Sequence, residues 1–300
     1  MDAFGEIIGY FPYEDKKLMK AFSSHTPTEI RVRTGRRTKI RWIGGEAETG
    51  EIAAPRDLMH LISRMLDHSV YAWEDELGQG YFTLTGGVRV GVSGKFVKEN
   101  GKTRLVTPTS LLIRIAHEVK GCAKPVMPFL LKDGAAQSVL FLSPPGMGKT
   151  TLLRDACRLL SKAGKEICVA DERGEIAAMK NGENQLDVGE RTDVCEGLAK
   201  AQAMLMMIRS MSPDVIAADE IGSEEDAYAI AEAARMGVKV IASAHAASVQ
   251  DALNRPMIAE ILASGAFQYA CVLGQSPGHI LKVHAFSEGK WLQTSLSESL

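Results

Sequence analysis

Between residues 28 and about 116, apolar and polar side chains change places at nearly every step. Glu29-Ile30-Arg31-Val32-Arg33 alternates with a period of two, and residues 37–42 follow after Gly35 as its expected hairpin partner. After Pro55-Arg56-Asp57 the period changes. Leu58, Leu61, Ile62, Met65 and Leu66 recur at helical spacing, with the proline where a first turn tolerates it. Tyr81-Phe82-Thr83-Leu84-Thr85 and Val88-Arg89-Val90-Gly91-Val92 then flank Gly86-Gly87. Two glycines between alternating runs predict a second hairpin, because both turn positions favour positive φ. These elements predict a small α+β domain over residues 1–119.

From about Lys120 the texture becomes strand, loop, helix, repeated. Apolar runs stand at 139–142, 167–170, 215–218 and 238–242, interrupted only by Lys239. Runs without alternation suit strands buried on both faces of a mostly parallel sheet, so an α/β domain is expected over residues 135–300. Residues 193–211 read as a helix with Val194, Leu198, Ala201, Leu205 and Ile208 on one face. A second helix is expected to start at the capping box Ser223-Glu224-Glu225-Asp226 and to end at Gly237. Residues 120–134, with Pro125 and Pro128, read as a linker or first helix between the domains. Residues 269–283 read as edge strands around Ser276-Pro277-Gly278.

Composition narrows the function classes. At 45% hydrophobic and 24% charged residues, the 300-residue chain is of ordinary globular type. A formal net charge of −2 argues against a chain devoted to neutralising nucleic-acid phosphates. No basic start leads into a long apolar core, and no stretch is apolar enough to span a bilayer. The five cysteines are scattered and never in C-x-x-C spacing, as reduced thiols of a cytoplasmic protein would be.

The chemistry begins directly after the run at 139–142, with Ser143-Pro144-Pro145-Gly146-Met147-Gly148-Lys149-Thr150 and then Thr151 opening a helical pattern. Strand, glycine loop and helix form the context in which backbone amides and a helix N-terminus can surround a polyphosphate. Pro145, Gly146, Met147, Gly148, Lys149, Thr150 and Thr151 are the expected ATP-binding residues. Lys149 would bring its charge to the β and γ phosphates, and the Thr150 hydroxyl would ligate Mg²⁺. Ser143 stands where the motif opens with glycine. Asp219-Glu220 ends the run at 215–218, placing Asp219 for Mg²⁺ and Glu220 for the attacking water. A second acidic pair, Asp171-Glu172, ends the run at 167–170, and His245 ends a fourth strand, where it could donate to a γ-phosphate. A guanidinium could neutralise transition-state charge from a neighbouring subunit, with Arg89, Arg114, Arg191 and Arg209 as candidates.

The order of these motifs resembles the secretion ATPases of type II and type IV systems. Their Walker A loop, Asp box, Walker B segment and His box are matched by residues 143–150, Asp171-Glu172-Arg173, Pro213-Asp214-Val215-Ile216-Ala217-Ala218-Asp219-Glu220 and residues 242–245. The resemblance implies a RecA-like P-loop core, catalysis by Glu220 and Glu172, nucleotide sensing by His245, and a homo-oligomeric ring, usually a hexamer, with ATP at subunit boundaries. Ile113-Arg114-Ile115-Ala116 is similar to the family's arginine box, which raises Arg114 among the arginines. Two departures stand out. Asp219 replaces the glycine usual before the Walker B glutamate, and the tetracysteine zinc motif of several type II members is absent. A narrower resemblance, to secretion-like ATPases of endospore formers, rests on Glu29-Ile30-Arg31-Val32-Arg33, residues 80–91, Ile113-Arg114-Ile115-Ala116 and Ile208-Arg209-Ser210-Met211-Ser212-Pro213. It implies a mother-cell cytoplasmic ATPase working with membrane proteins at a channel to the forespore; from the charge balance, no nucleic acid is expected as partner.

Two other readings are weighed. Arg31, Arg33, Arg36, Arg37, Lys39 and Arg41 could track nucleic acid in a RecA-like motor, although few aromatics accompany them for base stacking. A nucleotide-binding adaptor without hydrolysis is the other.

Overall fold

The computed structural model describes residues 3–11, 25, 27–42, 44–67, 77–99, 101–115, 118–180, 182–274 and 278–294. The chain divides into two compact units, Met1–His117 and Glu118–Leu300.

In the first unit, strands β1 (Pro27–Arg33), β2 (Arg37–Trp42), β3 (Gly45–Ile52), β4 (Tyr81–Leu84), β5 (Val88–Glu99) and β6 (Lys102–Arg114) form one sheet in the order β3-β2-β1-β6-β5-β4. Every pairing in it is antiparallel. Period-two alternation sends Ile30, Val32, Ile40, Val90 and Ile113 to one face. There they pack on helix α1 (Ala3–Tyr10) through Phe4 and Ile7, and on α2 (Pro55–Met65) through Leu58, Leu61 and Ile62. Pro55 opens α2, and the Asp57 carboxylate accepts the Ala54 amide at 2.6 Å. The expected glycine turn is present: Gly86 and Gly87 have φ of 73° and 72°. The opposite, solvent-facing side of β1 and β2 is strongly basic.

The second unit is built on an eight-stranded sheet. Its strands are β9 (Val139–Ser143), β10 (Ile167–Asp171), β13 (Thr192–Glu196), β14 (Val215–Ala218), β15 (Lys239–His245), β16 (Tyr269–Leu273), β17 (Ile280–Ser287) and β18 (Lys290–Thr294). They lie in the order β13-β10-β14-β15-β9-β16-β17-β18. Two short hairpins, β7–β8 (Leu131–Lys132 and Ala135–Ala136) and β11–β12 (Met179–Lys180 and Glu183–Asn184), complete the numbering. Pairings from β13 through β16 are parallel, and the last two are antiparallel.

Both faces of this sheet are covered, which explains the unbroken apolar runs. Leu140 and Leu142 share a core with Met204 and Ile208 of α5 (Lys200–Ser210) and with Ala229 and Ile230 of α6 (Glu224–Arg235). Val139 and Phe141 share another with Leu152, Leu153 and Ala156 of α4 (Lys149–Lys162). The capping box at Ser223 is present, with its hydroxyl accepting the Asp226 amide at 3.1 Å. Because β10, β14, β15 and β9 run parallel, their carboxyl ends share one edge.

Three sequence expectations change. The helix expected over 193–211 is a strand followed by a shorter helix. Residues 192–196 pair with β10, Ile167 opposite Thr192, and Gly197 at φ 83° separates them from α5. Val194 fits either period, and the open edge of β10 decides for the strand. Residues 120–134, expected between the domains, belong to the second unit: Ala123, Val126, Phe129 and Leu130 are in its core beside α4, and α3 (Met127–Leu130) is a single turn. Residues 269–283 carry a strand inside the sheet, β16 beside β9, with only β17 and β18 beyond it. Ser276 and Pro277, expected at the turn, and Ala116 lie outside the described residues.

Candidate nucleotide-binding and catalytic site

The site grows from the ends of three neighbouring strands. Register pairs Ser143 of β9 with His245 of β15, and Ala218 of β14 with Ala242. Chain direction alone therefore brings the glycine loop, His245 and Asp219-Glu220 to one edge.

The loop between β9 and α4 bends at Gly146 (φ 77°) and Gly148 (φ 80°). Ser143 does not need a left-handed backbone. It is fully buried and its hydroxyl donates to the Pro144 carbonyl at 2.8 Å, so serine fits where glycine opens the usual motif. No side chain caps the start of α4, which leaves its first-turn amides available to an anion. A Cβ built at Gly146 would meet nothing within 4 Å, so this part of the loop is open.

Lys149 is 5% exposed. Its ammonium donates to the carbonyls of Ser143 (3.1 Å) and Pro144 (3.2 Å) and to His245 Nδ1 (3.0 Å). Burial pushes the Lys149 pKa down, and the carboxylates of Asp219 and Glu220 pull it back. An ammonium donating to Nδ1 puts the imidazole proton on Nε2, which faces Glu220 Oε1 at 3.1 Å. Lys149, His245 and Glu220 thus form one hydrogen-bonded chain, continued by Arg173 Nη1 on Glu220 Oε2 at 2.9 Å.

Asp219 turns one oxygen to the Thr150 hydroxyl at 2.5 Å and the other to the Ser243 hydroxyl. Glu220 has φ 52°, a left-handed backbone that is costly for a residue with a Cβ. Its amide donates to Ser243 Oγ at 3.0 Å, and its carbonyl accepts from Lys200 Nζ at 2.8 Å. These bonds aim the carboxylate at His245. Ser243 and Lys200 escaped the sequence reading. The signal for Ser243 was a lone hydroxyl inside an apolar strand, whereas Lys200 gave none.

The second acidic pair splits. Asp171 is 3% exposed and accepts the amides of Glu175 (2.9 Å), Ile176 (3.0 Å) and Ala177 (2.8 Å). Arg154, also buried, holds the same loop through the carbonyls of Ile176 and Glu175, both at 2.6 Å. Asp171 is a brace for residues 172–177. Glu172 is exposed and accepts the Lys200 amide at 3.3 Å. Glu172, Arg173 and Glu175 line a narrow cleft with Lys200, Asp219 and Glu220.

Of the arginine candidates, Arg191 pairs with Glu166 at 2.5 Å, and Arg209 sits in the last turn of α5. Arg114 and Arg89 belong to the other unit, where they stand directly opposite each other on β6 and β5. Arg114 also neighbours Glu29, and the Arg89 guanidinium lies 4.2 Å from the Tyr81 ring centre.

The donor set suits a magnesium nucleotide. Among the described residues no cluster of three or more His, Cys, Asp or Glu could hold a metal alone. Thr150 and Asp219 converge as two oxygens, the sparse protein share expected where phosphates and water supply the rest of a Mg²⁺ shell.

Against known protein families, residues 20–289 match the one described as Sporulation stage III, protein AA. The chain belongs to that family. The family's Bacillus subtilis (strain 168) protein, stage III sporulation protein AA, is 38% identical over 256 residues, 83% of each chain. SEEDLING PLASTID DEVELOPMENT 1 of Arabidopsis thaliana is 26% identical over 269 residues, 88% of this chain and 36% of that one. Among solved structures, the ATPase DotB of Legionella pneumophila matches with a TM-score of 0.62 at 17% identity, over 91% of this chain and 80% of that one. The pilus retraction motor PilT, solved with bound ADP, matches at 0.54 and 14% identity, over 86% and 77%. At such identities the likeness is one of fold. This member of the sporulation family has the RecA-like P-loop fold of the secretion ATPases.

Proposed function

We propose that the chain is an ATP-hydrolysing motor subunit of a secretion-like complex that energises a mother cell–forespore channel during sporulation. The observation that carries this reading is the chain Lys149–His245–Glu220–Arg173 beside the Thr150–Asp219 pair. It joins a phosphate-binding lysine to a carboxylate suited to activating water, next to oxygens suited to Mg²⁺. Triphosphate binds on the amides of residues 145–151 with Lys149 on its β and γ phosphates. Thr150 and Asp219 would hold Mg²⁺, which would supply charge to neutralise the phosphates. Glu220 orients water and accepts its proton. His245 reads the γ-phosphate through Lys149, and Glu172 adds negative potential at the cleft.

Arg114 would complete the site from a neighbouring subunit, which calls for a ring, taken to be a hexamer. No helix among the described residues is long and apolar enough to cross a membrane, so attachment would go through membrane proteins of the same complex, from the mother-cell cytoplasm. The test is ATP turnover together with sizing by light scattering, for wild type and Lys149→Ala. Wild type should hydrolyse ATP with a specific activity that rises as subunits assemble, and the variant should be inactive. A wild type that binds ATP without releasing phosphate would replace the motor by an adaptor.

A further inference from the structure

The solvent face of β1 and β2 carries charge that ATP chemistry does not use. Arg31 stands opposite Lys39 on the paired strands, and like charges placed so are unfavourable. Nearer Trp42 the charges are balanced. Arg31 pairs with Glu29 at 3.0 Å, Arg41 with Glu46 at 3.0 Å, and Lys39 with Glu46 at 3.0 Å and Glu48 at 3.6 Å. At the turn the balance fails. Arg33 and Arg36 are exposed and make no ion pair among the described residues. Together with Gly35, Arg37, Lys39 and Glu48 they wall a cleft.

The backbone beneath this cleft is fixed. Gly35 takes φ 70°, its amide donates to Ala53 O at 2.8 Å, Arg36 N donates to Arg33 O at 3.1 Å, and Ala53 N returns to Arg36 O at 3.1 Å. The guanidiniums therefore rise from a preformed turn and little ordering is needed on binding.

We propose that this cleft docks an acidic segment of a partner protein, whose carboxylates are taken by the guanidiniums of Arg33 and Arg36. Arginine forks suit planar carboxylates, bound two hydrogen bonds at a time. Among the described residues no apolar or aromatic side chain lines the cleft. It has nothing to enter an acyl layer and no ring on which a base could stack, so a membrane surface and single-stranded nucleic acid fit it less well. The site lies in the first unit and does not depend on nucleotide chemistry.

The test uses the full chain and fluorescence anisotropy with a short labelled peptide of alternating Asp and Glu, near physiological salt. An Asn/Gln peptide, phosphatidylglycerol vesicles and poly-dT serve as comparisons. The acidic peptide should bind and the Asn/Gln peptide should not. Arg33→Gln with Arg36→Gln should weaken binding at least about tenfold, from the loss of two charged hydrogen-bond donors. Glu48→Gln removes the one acid among the described residues of the wall and should tighten binding about twofold or more. This second variant tests the site even if the double arginine variant does not fold. Equal binding by wild type and Arg33→Gln/Arg36→Gln, no tightening by Glu48→Gln, or arginine-dependent binding of vesicles or poly-dT in place of the peptide would overturn the proposal.

Discussion

Replacing Asp171 by alanine should loosen the second unit rather than merely slow it. The carboxylate accepts three backbone amides, from Glu175, Ile176 and Ala177. Glu175 is partly exposed and its amide can turn to water. Ile176 and Ala177 are fully buried, so theirs would lose their acceptor without replacement. Two orphaned amides at about 1–3 kcal/mol each set the loss at about 2–6 kcal/mol. Removing a buried charge gives part of this back, which brings the expected net to about 2–4 kcal/mol. That is a large fraction of the roughly 5–15 kcal/mol by which domains are stable. Urea unfolding followed by circular dichroism would measure it, and hydrogen exchange at Ile176 and Ala177 would localise it. A variant within about 1 kcal/mol of wild type, with those amides still protected, would refute the brace.

The same side chain gives a pH signature. Burial raises the Asp171 pKa, against the three amide bonds that lower it and with help from the Asp219 charge. As pH falls, the native chain takes up this proton before the unfolded chain does. Stability from this group therefore grows on acidification through its folded pKa. Wild type should gain stability relative to Asp171→Asn as the pH is lowered toward the ordinary carboxylate pKa of about 4. A relative loss would mean that the amide bonds, not burial, dominate.

Glu220→Gln should keep ATP bound while turnover falls by about two to four orders of magnitude, because Thr150 and Asp219 remain while the proton acceptor is gone. Equal turnover in a single-turnover assay would remove Glu220 from catalysis. Thiol labelling should find Cys195 first, since it alone of the five cysteines is not buried. Burial pushes the thiols of Cys122, Cys157 and Cys168 up to about 12, so near pH 8 they should react only after denaturant is added. Fast labelling of Cys157 in the native chain would contradict the packing of α4 on the sheet.

The sequence by itself determined what is local. The glycine loop is read from eight consecutive residues because its function is carried by backbone conformation and one lysine at fixed spacing. Gly86-Gly87 and the Ser223 capping box were legible for the same reason: each is satisfied by its own neighbours. Four of the six parallel strands showed themselves because burial on both faces leaves no polar alternation. Tertiary structure decided the rest. Whether residues 192–196 coil or extend depends on the free edge of β10, which lies outside any short window. Asp171 and Glu172 are adjacent in sequence, yet the last residue of β10 reaches a buried ring of amides while the first residue of the following turn faces solvent. Ser243, Lys200 and Arg173 entered the site through bonds to Asp219 and Glu220, across 20 to 47 positions of chain. A sequence window registers what a residue needs from its neighbours along the chain, and these side chains answer to partners that only the closed sheet brings near.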